Sequence, residues 1–220
     1  MLFSFLKCAL FECAPMPKIG FFSKALLAGL IYIFLTVMYV ATNHWIQYRH
    51  AFLVHTSIED RIPLIPEFIY IYAFGYIILL AFPIIFVNIR EDFILLCKGV
   101  MWIIVSSGLI FCIFPTTTIR PELSDITLAS HYLSVFYRID PPNNCFPSLH
   151  VALTSYIGVV LHQHGYWKNY PLIISALVCA STLFIKEHAL IDIFGGLIYS
   201  YLTLTFFVKE GSKDKQISNK

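Results

Sequence analysis

Apolar residues dominate six stretches of the chain, at about 25–43, 67–87, 94–114, 148–162, 170–185 and 188–208. Most approach the length that a helix needs to cross a hydrocarbon layer roughly 30 Å thick. In lipid a spanning backbone must satisfy its own polar groups, which favours helix. The pattern predicts an all-α fold: a polytopic integral membrane bundle of six transmembrane helices. The second stretch opens with Glu67-Phe68-Ile69-Tyr70 and contains Pro83, and Lys98 stands near enough to the start of the third to snorkel. Short connections in the second half predict antiparallel neighbours.

Around these stretches the chain divides into three parts. Residues 1–24 mix Lys7, Lys18 and Lys24 with aromatics and prolines, and no small-residue cleavage site follows. They read as an interfacial, cytoplasmic segment and not as a removable signal. Residues 25–208 form the membrane domain, and 209–220 a polar cytoplasmic tail expected to fray. Two connections are long. One covers about 44–66 and holds Asp60-Arg61-Ile62-Pro63; the other covers about 115–147 and holds Arg120-Pro121 and Pro141-Pro142-Asn143-Asn144.

Six spans put both long loops and the junction at Lys186 on one side. Of the 15 Lys and Arg, only Arg49, Arg61, Arg120, Arg138 and Lys186 fall there. The other ten, from Lys7 to Lys220, fall on the side of the termini. Positive-inside bias then predicts cytoplasmic termini and long loops on the outer face. That face is periplasmic for a bacterial inner membrane, or lumenal in a eukaryote.

Composition agrees with a bilayer setting. The chain is 58% hydrophobic and 13% charged, with a mean hydropathy of +0.75, whereas a soluble domain carries about 25% charged residues. A net charge of +2 is too small to suggest a nucleic-acid partner. The six cysteines form no CxxC pair and no zinc spacing, so no disulfide framework is expected. Cys8 and Cys13 are open to lipidation.

The candidate chemistry stands at the edges of the apolar stretches. His188 and Asp192 are four residues apart, hence on one face if helical. The carboxylate can hold one ring nitrogen and leave the other free to attack phosphorus. The same pair could simply bind helices together. Lys186, on the turn before the sixth helix, could meet a phosphate held at the helix N-terminus, or sit at the interface as lysines do. Pro147-Ser148-Leu149-His150 carries the start signals of a helix. The Ser148 hydroxyl and the amides of Leu149 and His150 could face an anion, or merely cap. Arg120 could grip phosphate oxygens in a fork, or contact headgroups. His44, His50, His55, His131, His162 and His164 form no convincing site.

Together these residues resemble the type 2 phosphatidic acid phosphatase superfamily. Its middle motif, commonly Pro-Ser-Gly-His, is similar to Pro147-Ser148-Leu149-His150, and the form with leucine is typical of the inositol phosphorylceramide synthase-like branch. The last motif, Ser-Arg, five residues, His, three residues, Asp, is matched by Ser181, His188 and Asp192, with Thr182 in place of arginine. The first motif, Lys, six residues, Arg-Pro, is matched by Arg120-Pro121, with Ile113 in place of lysine. The resemblance covers about residues 55–205.

The resemblance implies an enzyme that needs no metal or other cofactor. His188 attacks phosphorus and becomes a phosphohistidine, and Asp192 orients it. His150 protonates the leaving oxygen and then activates the acceptor. Arg120, Lys186, Ser148 and the amide of Leu149 stabilise the phosphate oxygens. The expected substrate is a membrane lipid phosphate or diphosphate, hydrolysed at the outer face. Transfer of a phosphorylated head group between lipids is the close alternative, since only the acceptor differs. A non-catalytic scaffold or lipid carrier is a third, supported by the cations missing at positions 113 and 182.

Overall fold

A computed structural model describes residues 17–46, 50–124 and 127–217, with side-chain surroundings described up to residue 207. Lys7, Cys8, Cys13 and Arg49 lie outside the described residues. The described chain is mostly helical, with almost no strand: α1 Phe21–Ile46, α2 Phe68–Phe86, α3 Arg90–Ile113, α4 Leu128–Ile139, α5 Leu149–Gln163, α6 Tyr170–Phe184 and α7 Leu190–Ile217.

Six of these helices coincide with the six apolar stretches, but they are not alike. The helical segments Phe21–Trp45, Phe68–Phe86, Arg90–Ile113 and Leu190–Phe207 are long and apolar enough to cross a membrane. The other two, α5 and α6, have 15 residues each. At 1.5 Å per residue they reach only about 22 Å, short of a hydrocarbon core of about 30 Å. The tail expected to fray from 209 instead continues α7 as helix to Ile217.

The helix α5 is the hub, packing on α2, α3, α6 and α7. It is buried almost all round: Val151, Ala152, Leu153 and Tyr156 are fully inaccessible, and Tyr156 Oη donates to the Leu95 carbonyl at 2.8 Å. A helix apolar on every face is stable only when surrounded. By contrast α1 touches mainly α3 and turns Leu26, Leu30, Ile33 and Val37 outward. Lys24 is buried, its ammonium donating to the Val87 carbonyl at 3.1 Å and Asn88 Oδ1 at 2.9 Å. It therefore satisfies a carbonyl at the C-terminal end of α2, where cations are favoured.

Two glycines let α5 start hard against α7. A Cβ on Gly196 would lie 2.8 Å from the Ser148 carbonyl oxygen and 2.9 Å from Val151 Cβ, and one on Gly195 would lie 2.4 Å from the Phe146 ring. The backbones come close enough for the Ser148 amide to donate to the Asp192 carbonyl at 3.1 Å. Small residues permit this approach between apolar helices.

The long loops are not irregular throughout. Phe52-Leu53 pairs in parallel with Thr116-Thr117 as a two-residue ladder, β1 with β2, tying one loop to the other. The expected loop at 115–147 contains a further helix, α4, opened by a capping box between Thr127 and Ser130. Its Ala129 and Leu133 are buried, and Leu133 packs with Ile69, Tyr72 and Ile185. Twelve residues cannot span a bilayer. Ladder, α4 and the short 3₁₀ turn Glu59–Arg61 together cap one end of the bundle.

Candidate active site

Beneath this cap, two segments distant in sequence bring their histidines together. His150 lies in the first turn of α5, and His188 in the bend between α6 and α7. His188 Nε2 is 3.5 Å from His150 Nδ1. On its other side His188 Nδ1 lies 3.6 Å from Asp192 Oδ2, in a setting where His188 is 5% and Asp192 0% exposed. That separation is beyond hydrogen-bond range, and His188 Nδ1 and Asp192 Oδ1 have no protein partner. A sub-ångström closure would make the bond.

The expectation that His188 and Asp192 share a helix face needs correction. The helix α7 begins at Leu190, so His188 precedes it. The pair meets because Asp192 folds back: its Oδ2 accepts from the Ala189 amide at 2.8 Å. The carboxylate thus caps the helix start and faces the ring.

His150 is gripped by residues that sequence reasoning did not find. Its Nε2 is hydrogen-bonded to Tyr72 Oη at 2.6 Å, with donor and acceptor set by the tautomer. Its ring packs 4.8 Å from the Tyr72 ring and 4.9 Å from that of Tyr76. Nothing in a transmembrane tyrosine marks it as a partner for a histidine 78 positions away. The Nδ1 edge is left facing His188.

Arg120 reaches the same end but is engaged. Its Nη2 donates to Glu187 Oε2 at 2.5 Å, and its Nη1 donates to the Asp140 carbonyl. Its guanidinium lies 4.6 Å above the Tyr137 ring. Both ion-pair partners are buried, Arg120 at 7% and Glu187 at 5% exposure, and Arg120 Nε has no partner. Burial pushes the Glu187 carboxyl well above the usual carboxylate range, and Arg120 pulls against it. Glu187 stands in the sequence between Lys186 and His188; its missed signal was a carboxylate between two apolar stretches.

Two of the remaining expected phosphate ligands, Lys186 and Ser148, are engaged elsewhere. Lys186 adopts a positive φ of 54° on its turn, and its ammonium donates to the carbonyls of Glu59 and Ile62, at 2.5 Å each. It anchors the 3₁₀ turn to the α6–α7 junction instead of facing the histidines. Ser148 is the N-cap of α5 as expected, but its hydroxyl is buried and accepts from the Val151 amide at 3.3 Å. The Leu149 side chain belongs to the apolar core. Thr182 is buried and donates to the Cys179 carbonyl at 2.8 Å, while Ile113 is 78% exposed at the end of α3. Neither stands in for the cation its position lacks. His162 and His164, which the sequence sets apart from the candidate chemistry, are at the opposite end, where His164 Nδ1 meets Asp92 at 2.7 Å.

An apolar cavity of about 480 Å³ lies farther along the bundle, between α1, α2, α3 and α5. Leu153, one helical turn beyond His150, is in its wall with Ile31, Leu35, Ile77, Leu80 and Ile157. Among the described residues no group of three or more His, Cys, Asp or Glu could hold a metal ion. The chemistry on offer is a pair of imidazoles backed by a buried carboxylate, with one guanidinium nearby. No protein-family model matches the chain, and no curated protein and no solved structure matches it significantly.

Proposed function

We propose that the chain is a lipid phosphoryl-transfer enzyme of the type 2 phosphatidic acid phosphatase kind, hydrolysing a lipid phosphate or diphosphate through a phosphohistidine. The observation that carries this reading is the 3.5 Å approach of His188 Nε2 to His150 Nδ1, with Asp192 behind His188. His188 Nε2 forms a bond to phosphorus as the bond from phosphorus to the lipid oxygen breaks. The electron pair leaves on that oxygen, which takes the Nδ1 proton of a His150 that has become charged with the anionic substrate bound. The other nitrogen of His150 stays on Tyr72. Asp192 stabilises the positive charge that develops on His188. Water then gives a proton to His150 and attacks phosphorus, and the N–P bond breaks. The roles need no metal, because the leaving oxygen is neutralised by a proton.

In this reading all six apolar helices cross the bilayer, with cytoplasmic termini and the histidines near the outer face. The buried hub α5 and its neighbour α6 fall short of full thickness, which local thinning can accommodate. The apolar cavity beyond His150 suits the chain of a lipid whose phosphate reaches the imidazoles. A second reading, head-group transfer to an alcohol, is favoured by one observation: the Arg120 fork is already occupied by Glu187. Purified protein presented with phosphatidic acid, an isoprenoid diphosphate and acceptor lipids tests both. Release of inorganic phosphate supports hydrolysis, acceptor-dependent product supports transfer, and no turnover of any of them removes the proposal.

A further inference from the structure

We infer that α4 is a re-entrant helix, with one face seated among the acyl chains of the leaflet nearest the histidines. The inference rests on α1 and α2 crossing the membrane, and not on the phosphoryl chemistry. Leu128, Tyr132, Val135 and Ile139 are all exposed. Their spacing of four, three and four residues puts them in one stripe along the helix. Ala129 and Leu133 are buried on the other side. A helix of 12 residues with apolar side chains on both faces is too short to span, and this is the pattern of a re-entrant or interfacial segment.

Three contacts set α4 below the ends of the spanning helices. The Tyr132 ring meets that of Tyr70 at 6.1 Å, the Phe136 ring meets that of Tyr72 at 5.4 Å, and the carboxylate of the C-cap Asp140 accepts from Tyr39 Oη at 2.7 Å. Tyr70 and Tyr72 are two and four residues inside the start of α2, and Tyr39 is seven residues before the end of α1. At about 1.5 Å per residue the three contacts lie about 3, 6 and 10 Å in from those ends. The helix α4 therefore descends toward its C-terminal end. With 19 residues α2 is about as long as the hydrocarbon core is thick, so a stripe beside its outer turns meets lipid. Tyr132, amphipathic and nearer the surface, suits the membrane interface. Arg138 Nη2 donates back to Ser134 Oγ at 3.4 Å, one turn toward the shallow end, which is the direction a snorkelling side chain takes. The opposite face of the same helix holds the site. Leu133 packs with Tyr72 and Ile185, Tyr137 lies under the Arg120 guanidinium, and Arg120 donates to the Asp140 carbonyl. Lipid on one side of α4 thus backs the residues that fix His150 and Arg120 on the other.

The test needs no variant. Full-length protein is reconstituted in phosphatidylcholine vesicles that contain one of two photoreactive phosphatidylcholines, with the diazirine near the head group or at the end of an acyl chain. After illumination, mass spectrometry maps the adducts. Leu128, Tyr132, Val135 and Ile139 should carry them, while Ala129 and Leu133 should not. The ratio of adducts on Ile139 to those on Leu128 should rise severalfold from the shallow probe to the deep one. Phe74, exposed on α2, is the reference for a lipid-facing residue. Labelled Phe74 with an unlabelled stripe overturns the inference, as does labelling of the stripe by a water-soluble diazirine instead. A stripe protected from both reagents, with Val135→Cys protein cross-linking between copies, gives this face to a second copy and overturns it too. Absence of lipid adducts from Phe74 and the stripe alike removes the membrane reading of α2 and this inference with it. Loss of the α4 adducts alone leaves the histidine chemistry standing, because turnover is measured separately.

Discussion

Glu59 Oε1 accepts a hydrogen bond from the Leu190 amide at 2.9 Å, across 131 positions of sequence. A carboxylate from the loop before α2 thereby serves the first turn of the helix that carries Asp192. Its second oxygen accepts from the Thr56 amide at 2.8 Å and from the Thr56 hydroxyl. Lys186 completes the clamp from the other side.

This clamp should fail in acid. Burial would raise the Glu59 carboxyl, but hydrogen bonds from the Thr56 side chain and from backbone amides, Leu190 included, outweigh it and hold the group at about 2, against 4.5 when free. A depressed carboxylate contributes stability that is complete above the unfolded value and is lost as pH falls. The window is therefore pH 4.5 down to 2, and the contribution at stake is on the order of 2 kcal/mol. Thermal unfolding in detergent should lose midpoint steeply across this window in wild type. Glu59→Gln should start lower at pH 7 and show a shallower dependence. Parallel curves would remove Glu59 as the cause.

Gly196 should tolerate no side chain. Even alanine puts a Cβ 2.8 Å from the Ser148 carbonyl, which is backbone and cannot swing aside. Overpacking of this kind costs about 1–3 kcal/mol. Gly196→Ala should lower the unfolding midpoint and, by pushing α5 from α7, reduce turnover. Gly29, with open space around its would-be Cβ, should accept alanine without loss. Equal behaviour of the two variants would refute the close approach.

His150 and His188 should separate by leaving group. A lipid alkoxide needs a proton to depart, whereas a nitrophenolate needs little help. General acid catalysis is worth about 10²–10⁴-fold, so His150→Ala should lose that much on a lipid phosphate and far less on nitrophenyl phosphate. Equal losses on both would make His150 a phosphate ligand. Tyr72→Phe, which keeps the ring and removes the hydroxyl bonded to Nε2, should shift the acid limb of the pH–rate profile without abolishing turnover.

The charge asymmetry predicts sidedness. In a cysteine-free background an impermeant thiol reagent should label a cysteine at the exposed Glu122 in intact cells, and not one at Ser212. The opposite pattern would turn the site toward the cytoplasm.

The sequence disclosed the helical stretches because lipid imposes one requirement on them all, an apolar run. It singled out His150, His188 and Asp192, which the structure brings together, because ionisable groups beside such runs are rare. It did not disclose where the cations point. Lys186 reads as a phosphate ligand until the 3₁₀ turn is brought against it, and that packing joins residues more than 120 positions apart. Arg120 reads as free until Glu187 is placed beside it. The helix α4 was legible in principle: Thr127 with Ser130 marks its start, and Ala129, Leu133, Phe136 and Tyr137 share a face at helical spacing. It lies in a stretch that is too short to span, and so reads as loop when only spans are sought.

Whether His188 carries the phosphoryl group is the most direct question. Wild type and His188→Ala protein, each mixed with lipid labelled with ³²P at the phosphorus, should be quenched in alkali within one turnover, since phosphohistidine survives base. Mass spectrometry of the peptide that spans residues 187–209 should locate the label on His188 in wild type, with none retained by the folded variant. Turnover of the same lipid by folded His188→Ala protein, or label on any other residue, would contradict the account.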